Sequence, residues 1–195
     1  MVVLPAGIAV ALLITGLVAS RWLKRSADNG SNPVTSTFAA YRLDHPDRRF
    51  VLPVELTEVS GLTDLPENRV ACVQDEDGAI FIFHLSEGRI ERRIPFGDPG
   101  DYEGLTAHSG IFHVLRSDGV LFEVRDDGRT VSEHPLDLPT RDNEGLAFDA
   151  RRNRLLVAPK SRPGKGKEFR ATRVVFAVDP ATRIRSAEPV MEIDL

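Results

Sequence analysis

The sequence predicts an all-β fold: a β-propeller of four-stranded blades, about three of them present, preceded by one N-terminal transmembrane helix. Three observations predict it. A Gly-Leu motif recurs at a near-constant spacing, each period divides into short apolar runs separated by turn residues, and an uncharged apolar stretch opens the chain.

Taken in chain order, the first element is residues 2–20. Val2 to Ala19 carry no charge for eighteen residues, and Arg21, Lys24 and Arg25 follow at once. That is close to the roughly 20 apolar residues that cross a bilayer core. A cleaved signal peptide is the rival, with Leu17-Val18-Ala19 as a weak small-residue site, but the basic lead of a signal peptide is missing. Ser20 stands where a lipoprotein box needs cysteine, so lipid attachment there is excluded. The retained anchor is the preferred reading. The basic flank lies on the C-terminal side, where the positive-inside rule would hold it in the cytoplasm, but an N-terminus that opens directly in apolar sequence is expected to lack a charged lead, which would place the domain on the opposite side. Residues 21–43 read as this basic flank and a flexible tether, because Ser26 to Thr37 are small or turn-forming and show no apolar period.

Residues 44–195 hold the repeat. Glu58-Val59-Ser60-Gly61-Leu62, Tyr102-Glu103-Gly104-Leu105-Thr106 and Asn143-Glu144-Gly145-Leu146-Ala147 place their Gly-Leu pairs 43 and 41 residues apart. Such a period is that of a four-stranded blade. In the first period strands are expected at 55–62, 69–74, 79–85 and 89–96, with turns at Asp77-Gly78 and Glu87-Gly88 where glycine is expected to supply the positive φ of a tight hairpin. The second gives 103–107, 111–116, 120–125 and 130–135. The third gives 144–149, 154–160, 173–179 and 189–193. Ile80-Phe81-Ile82-Phe83 and Leu155-Leu156-Val157-Ala158 are apolar on both faces, as a sheet packed between two others requires. Three blades do not close a ring of four to eight, so a truncated propeller with bare apolar terminal faces is expected.

Composition excludes some functions. A net charge of −4 and a pI near 5.8 argue against a nucleic-acid partner, which calls for a basic domain. Cys72 is the only cysteine, which rules out an internal disulfide and a Cys-rich zinc site, and its apolar run marks it as a buried small hydrophobe. His45, His84, His108, His113 and His134 are scattered with no zinc spacing. Ser60 lies in no nucleophile elbow.

The candidate site residues are Glu58, Glu103 and Glu144. If the first strand of each blade runs along the central channel, these carboxylates either bond backbone amides and lock blades together, or converge at the channel mouth. Converging carboxylates repel unless a hard cation such as Ca²⁺ accepts their oxygens. Asp75, Asp101, Asp142 and Asp149 are supplementary candidates. The segment Lys160 to Arg173 concentrates six cations against Glu168, reading as a solvated hairpin extension or a collector of anions.

The in-order set Leu56-Thr57-Glu58-Val59-Ser60-Gly61-Leu62-Thr63, Tyr102-Glu103-Gly104-Leu105, Asn143-Glu144-Gly145-Leu146-Ala147-Phe148-Asp149 and Leu155-Leu156-Val157-Ala158-Pro159-Lys160 resembles the SdiA-regulated, YjiK-like bacterial propellers over residues 50–195. The resemblance implies a single N-terminal membrane segment, residence at the cell membrane, and calcium binding without an established activity; the expected location is the bacterial cell (inner) membrane, single-pass, with the propeller on the periplasmic side. Asn143 departs from the family, where an aromatic commonly precedes Glu-Gly-Leu, and further acidic-Gly motifs are lacking. Two functions are expected to compete. One is a membrane-tethered binding or interaction module for an unknown protein or small molecule. The other is a calcium-dependent phytase-like or lactonase-like hydrolase, which needs an acidic cluster plus a base. The absence of a histidine beside the Glu motifs favours the binding module.

Overall fold

A computed structural model of the protein describes residues 45–195. The expected anchor at 2–20, the whole tether at 21–43 and Asp44 at the start of the domain lie outside the described residues. Among the described residues no helix is long and apolar enough to cross a membrane. The chain divides into residues 1–49 and a compact unit, Phe50–Leu195, that contains every strand described below.

The unit is all-β. Twelve strands form three four-stranded antiparallel sheets, each a simple up-and-down meander. The first sheet is β1 (Val59–Leu65), β2 (Arg69–Gln74), β3 (Ala79–His84) and β4 (Arg89–Pro95). The second is β5 (Tyr102–His108), β6 (Ile111–Arg116), β7 (Val120–Arg125) and β8 (Thr130–Pro135). The third is β9 (Asn143–Asp149), β10 (Arg154–Pro159), β11 (Thr172–Val178) and β12 (Met191–Asp194). The first strands β1, β5 and β9 lie side by side, so the sheets stack as propeller-like blades.

Alternation with a period of two decides what each face packs against. Ala71, Val73, Ile80 and Ile82 of the first sheet meet Leu105, Phe112, Val114, Phe122 and Val124 of the second. Leu115 and Leu121, on the opposite face of the second sheet, meet Leu155, Val157 and Val178 of the third. Tyr102, Phe96 and Phe122 close the first boundary with ring centroids 4.9 to 5.6 Å apart, and the Tyr102 hydroxyl donates to the Asp98 carbonyl at 2.7 Å. Tilted aromatic pairs of this kind add about 1 kcal/mol each beyond their burial. Asn143 occupies the position of Tyr102 in the third sheet and is fully buried. It replaces the ring by hydrogen bonds: Thr140 Oγ1 donates to its Oδ1, and its Nδ2 donates to the carbonyls of Ser117 and Thr140.

Three expectations need correction. The first strand does not begin at Glu55: Val54–Leu56 form a single 3₁₀ turn, and Glu58 sits in a left-handed turn (φ 61°) just before β1. Gly78 is also not a positive-φ turn residue, although Gly88, Gly110, Gly119 and Gly128 are. Its need for glycine is one of space, since a Cβ there would lie 2.2 Å from the Gly97 carbonyl oxygen. The outer face of the first sheet, expected to be bare, is covered in part: Val70, Cys72, Phe81 and Phe83 are buried and cluster with Leu56 of the 3₁₀ turn, while Leu62, paired with Cys72 on the same face, is 57% exposed. On the third sheet Ala147 is exposed, and Met191 and Ile193 are 51% and 41% exposed.

Candidate functional site

A β-bulge recurs at one position in all three first strands. Val59 pairs with Gln74 and Gly61 with Val73, leaving Ser60 as the extra residue. Tyr102 pairs with Arg116 and Gly104 with Leu115, leaving Glu103. Asn143 pairs with Pro159 and Gly145 with Ala158, leaving Glu144. A bulge takes one residue out of the ladder and re-aims its side chain. The glycine after it is required by crowding between blades: a Cβ on Gly61 would lie 2.8 Å from the Leu105 nitrogen, and one on Gly104 2.7 Å from the Leu146 Cβ. The bulge position, not the first acid of each motif, is therefore the equivalent one, and it holds Ser60, Glu103 and Glu144.

Glu58 thus belongs with Asp101 and Asp142, two residues before the bulge. It is exposed, whereas Glu103 and Glu144 are half-buried. Ser60 spends its hydroxyl on a 2.6 Å bond to the Tyr102 carbonyl, which ties the first blade to the second.

The structure brings Glu103, Glu144 and Asp101 under one another's influence. Burial, then Asp101, then the charge of Glu144 push the Glu103 carboxyl up to about 7. Ser117 Oγ donates to Asp101, and the Ser117 amide bonds the Asp101 carbonyl at 2.9 Å. Lys160 is the residue the sequence reading did not place here. Its backbone N–H bonds the Asp142 carbonyl at 2.8 Å, and its Nζ lies 2.5 Å from Glu144 Oε1. That bond, with the charges of Glu144, Asp142 and Glu103, raises the Lys160 ammonium. Lys160 follows β10 as Asp75 follows β2 and Ser117 follows β6, so counting from the second strand of each blade would have found it.

Calcium takes six to eight oxygens. Among the described residues no group of three or more His, Cys, Asp or Glu is placed to hold a metal ion. The cation at Glu144 is the ammonium of Lys160. One feature points the other way: Asp75 Oδ1 is buried without a hydrogen-bond donor.

A second polar cluster lies between the second and third sheets, and sequence reasoning missed it. Glu123, 3% exposed on β7, accepts from Arg183 and from Ser132 Oγ, and His113 faces it across the ladder. Burial lowers the His113 pKa and keeps the ring neutral. His134 Nε2 lies 2.7 Å from Ser132 Oγ, but that hydroxyl donates to Glu123, so its proton is committed and no nucleophile–base pair results. The signal was a lone acid inside the apolar run Val120-Leu121-Phe122-Glu123-Val124. A cavity of about 430 Å³ between the first two sheets lies at the opposite end from the bulges, beside Leu65, Arg69, His108 and Asp126.

No protein-family model matches the chain, and no curated protein sequence does. Solved structures do. Myxococcus xanthus glutaminyl cyclase is similar at 18% identity and a TM-score of 0.49, over 69% of this chain and 51% of the cyclase. The computationally designed Ika4 protein is similar at 14% identity and a TM-score of 0.46, over 77% of this chain and 81% of the design. Kuenenia stuttgartiensis hydrazine synthase is similar at 9% identity and a TM-score of 0.49, over 77% of this chain and 39% of the synthase. The chain thus spans about half the length of the cyclase.

Proposed function

We propose that this chain is a membrane-tethered β-propeller of the SdiA-regulated, YjiK-like kind, working as a binding or interaction module and not as an enzyme. Its apolar residues 2–20 would hold it as a single-pass protein of the bacterial inner membrane, with the propeller on the periplasmic side. The observation that carries the reading is the mouth itself. In-phase bulges aim Glu103 and Glu144 to one end of adjacent first strands, where Lys160 joins them. Among the described residues, charged groups are gathered there without a histidine base, and the nearby Ser60 and Ser117 hydroxyls donate to the Tyr102 carbonyl and to Asp101. The alternative is the calcium-dependent phytase-like or lactonase-like hydrolase. Turnover of phosphoester and lactone substrates by the full chain, with and without Ca²⁺, decides between them. The binding module gives no rate above buffer in either condition. A Ca²⁺-dependent rate that is lost in Glu103→Gln would replace it with the hydrolase.

A second reading keeps calcium at Glu103 and Glu144, with Glu58 at the rim. The unpartnered Asp75 Oδ1 and the raised Glu103 carboxyl favour it, since both would be relieved by a cation. In this reading Ca²⁺ must displace the Lys160 ammonium.

A further inference from the structure

The connection between β10 and β11 differs from its counterparts. Where the first two sheets turn through Asp75–Gly78 and Ser117–Gly119, the third inserts residues 160–171. The insertion leaves from the mouth, because its first residue, Lys160, is the one bonded to Glu144 and Asp142.

Arg162, Lys165, Lys167 and Arg170 are exposed on this insertion, and among the described residues none of them makes an ion pair or a side-chain hydrogen bond. Many other arginines behave differently. Arg69, Arg92, Arg93, Arg116, Arg154 and Arg183 each meet a carboxylate. The one acid of the insertion, Glu168, is exposed too, and the chain as a whole is acidic at −4. The insertion folds on itself: the Phe169 ring packs so close to Gly164 that a Cβ there would lie 2.4 Å from it. Four like charges are thereby carried on one short, folded-back loop, where an anionic partner would lower their mutual repulsion.

We propose that this insertion is a docking surface for the anionic phosphate headgroups of a lipid bilayer. The charges stand on an exposed loop, and the 430 Å³ cavity is at the other end of the sheets, so a flat partner suits them better than an enclosed small anion. Val2 to Ala19 with Arg21, Lys24 and Arg25 give the same chain a second, independent bilayer-seeking element. Tethering to the same surface raises the effective concentration of headgroups at the loop. The inference goes beyond the proposed function and shares only the membrane with it; the mouth carboxylates play no part.

The test is amide hydrogen exchange of the full chain in lipid nanodiscs of phosphatidylcholine, and in discs with an equal share of phosphatidylglycerol. Each cation near an anionic surface contributes enough that exchange of residues 161–171 is expected to slow by roughly tenfold or more in the anionic discs only. In the Arg162→Gln, Lys165→Gln, Lys167→Gln, Arg170→Gln variant the two kinds of disc give equal exchange. Arg21, Lys24 and Arg25 are common to both proteins and cancel. Equal exchange of the unaltered chain in both discs overturns the proposal, as does slowing that survives the four substitutions. Slowing reproduced in neutral discs by glycerol phosphate assigns the loop to a soluble phosphate compound instead. A chain that does not enter discs counts against the N-terminal anchor alone, and the same comparison with vesicles added to the chain in solution still reads the loop.

Discussion

The guanidinium of Arg183 holds both carboxylate oxygens of Glu123, at 3.0 and 2.7 Å, across the boundary between the third and second sheets. The Glu123 side chain is 4% exposed and its partner 31%. Burial alone would raise the Glu123 pKa, but the bonds from Arg183 and Ser132 outweigh it and hold the carboxyl low. Replacing Arg183 by Met strands a buried carboxylate and is expected to cost about 3 kcal/mol in urea unfolding. Pairing it with Glu123→Met removes the stranded charge, so the double variant regains most of that loss. The pair also has a pH signature. A carboxyl with a depressed folded pKa contributes stability above its unfolded value, and the contribution is lost as pH falls through the folded value.

Glu103 has the opposite sign. Its folded value, about 7, lies above the ordinary 4.5, so the folded chain holds a proton that the unfolded chain releases between those two values. Stability therefore falls as pH rises from 4.5 to 7 and stays low above it. Glu103→Gln removes the term. After allowance for solvent screening at a half-buried group, the variant is expected to gain about 1 kcal/mol at pH 8 and nothing near pH 4. Melting curves across that range check it, and an equal gain at both ends would contradict the assignment.

Gly104→Ala tests the contact between blades. The added methyl meets Leu146 Cβ at 2.7 Å and the Glu144 carbonyl at 3.1 Å, and a backbone oxygen cannot swing aside. The expected cost is about 2 kcal/mol, typical of overpacking. Gly88→Ala is the informative control: its Cβ would meet nothing within 4 Å, so only the strain of a 64° φ is added, about 1 kcal/mol.

Lys160→Gln tests whether an ammonium stands in for a metal. Loss of the charge leaves Glu144 and Glu103 facing each other uncompensated, so the variant is expected to melt at a lower temperature than the parent at pH 8. Millimolar Ca²⁺ should restore several degrees to the variant and little to the parent, with EDTA reversing the gain. A Ca²⁺ response as large in the parent as in the variant would show that the lysine does not occupy the cation position.

The Gly-Leu spacing and the alternation of apolar residues determined by themselves that the chain forms three four-stranded meanders, because burial with a period of two and a turn between runs are local consequences of residue type. The buried Cys72 was legible in the same way. What only the tertiary structure decided is which residues share a position across blades. A bulge is a mismatch between two strands and leaves no trace in one of them, so the sequence pointed to Glu58 where the fold puts Ser60 beside Glu103 and Glu144. Lys160, whose register is set by β10, and the Glu123–Arg183 pair, 60 residues apart, became partners only when the sheets stacked, because a charge finds its counterion through the distances that packing imposes.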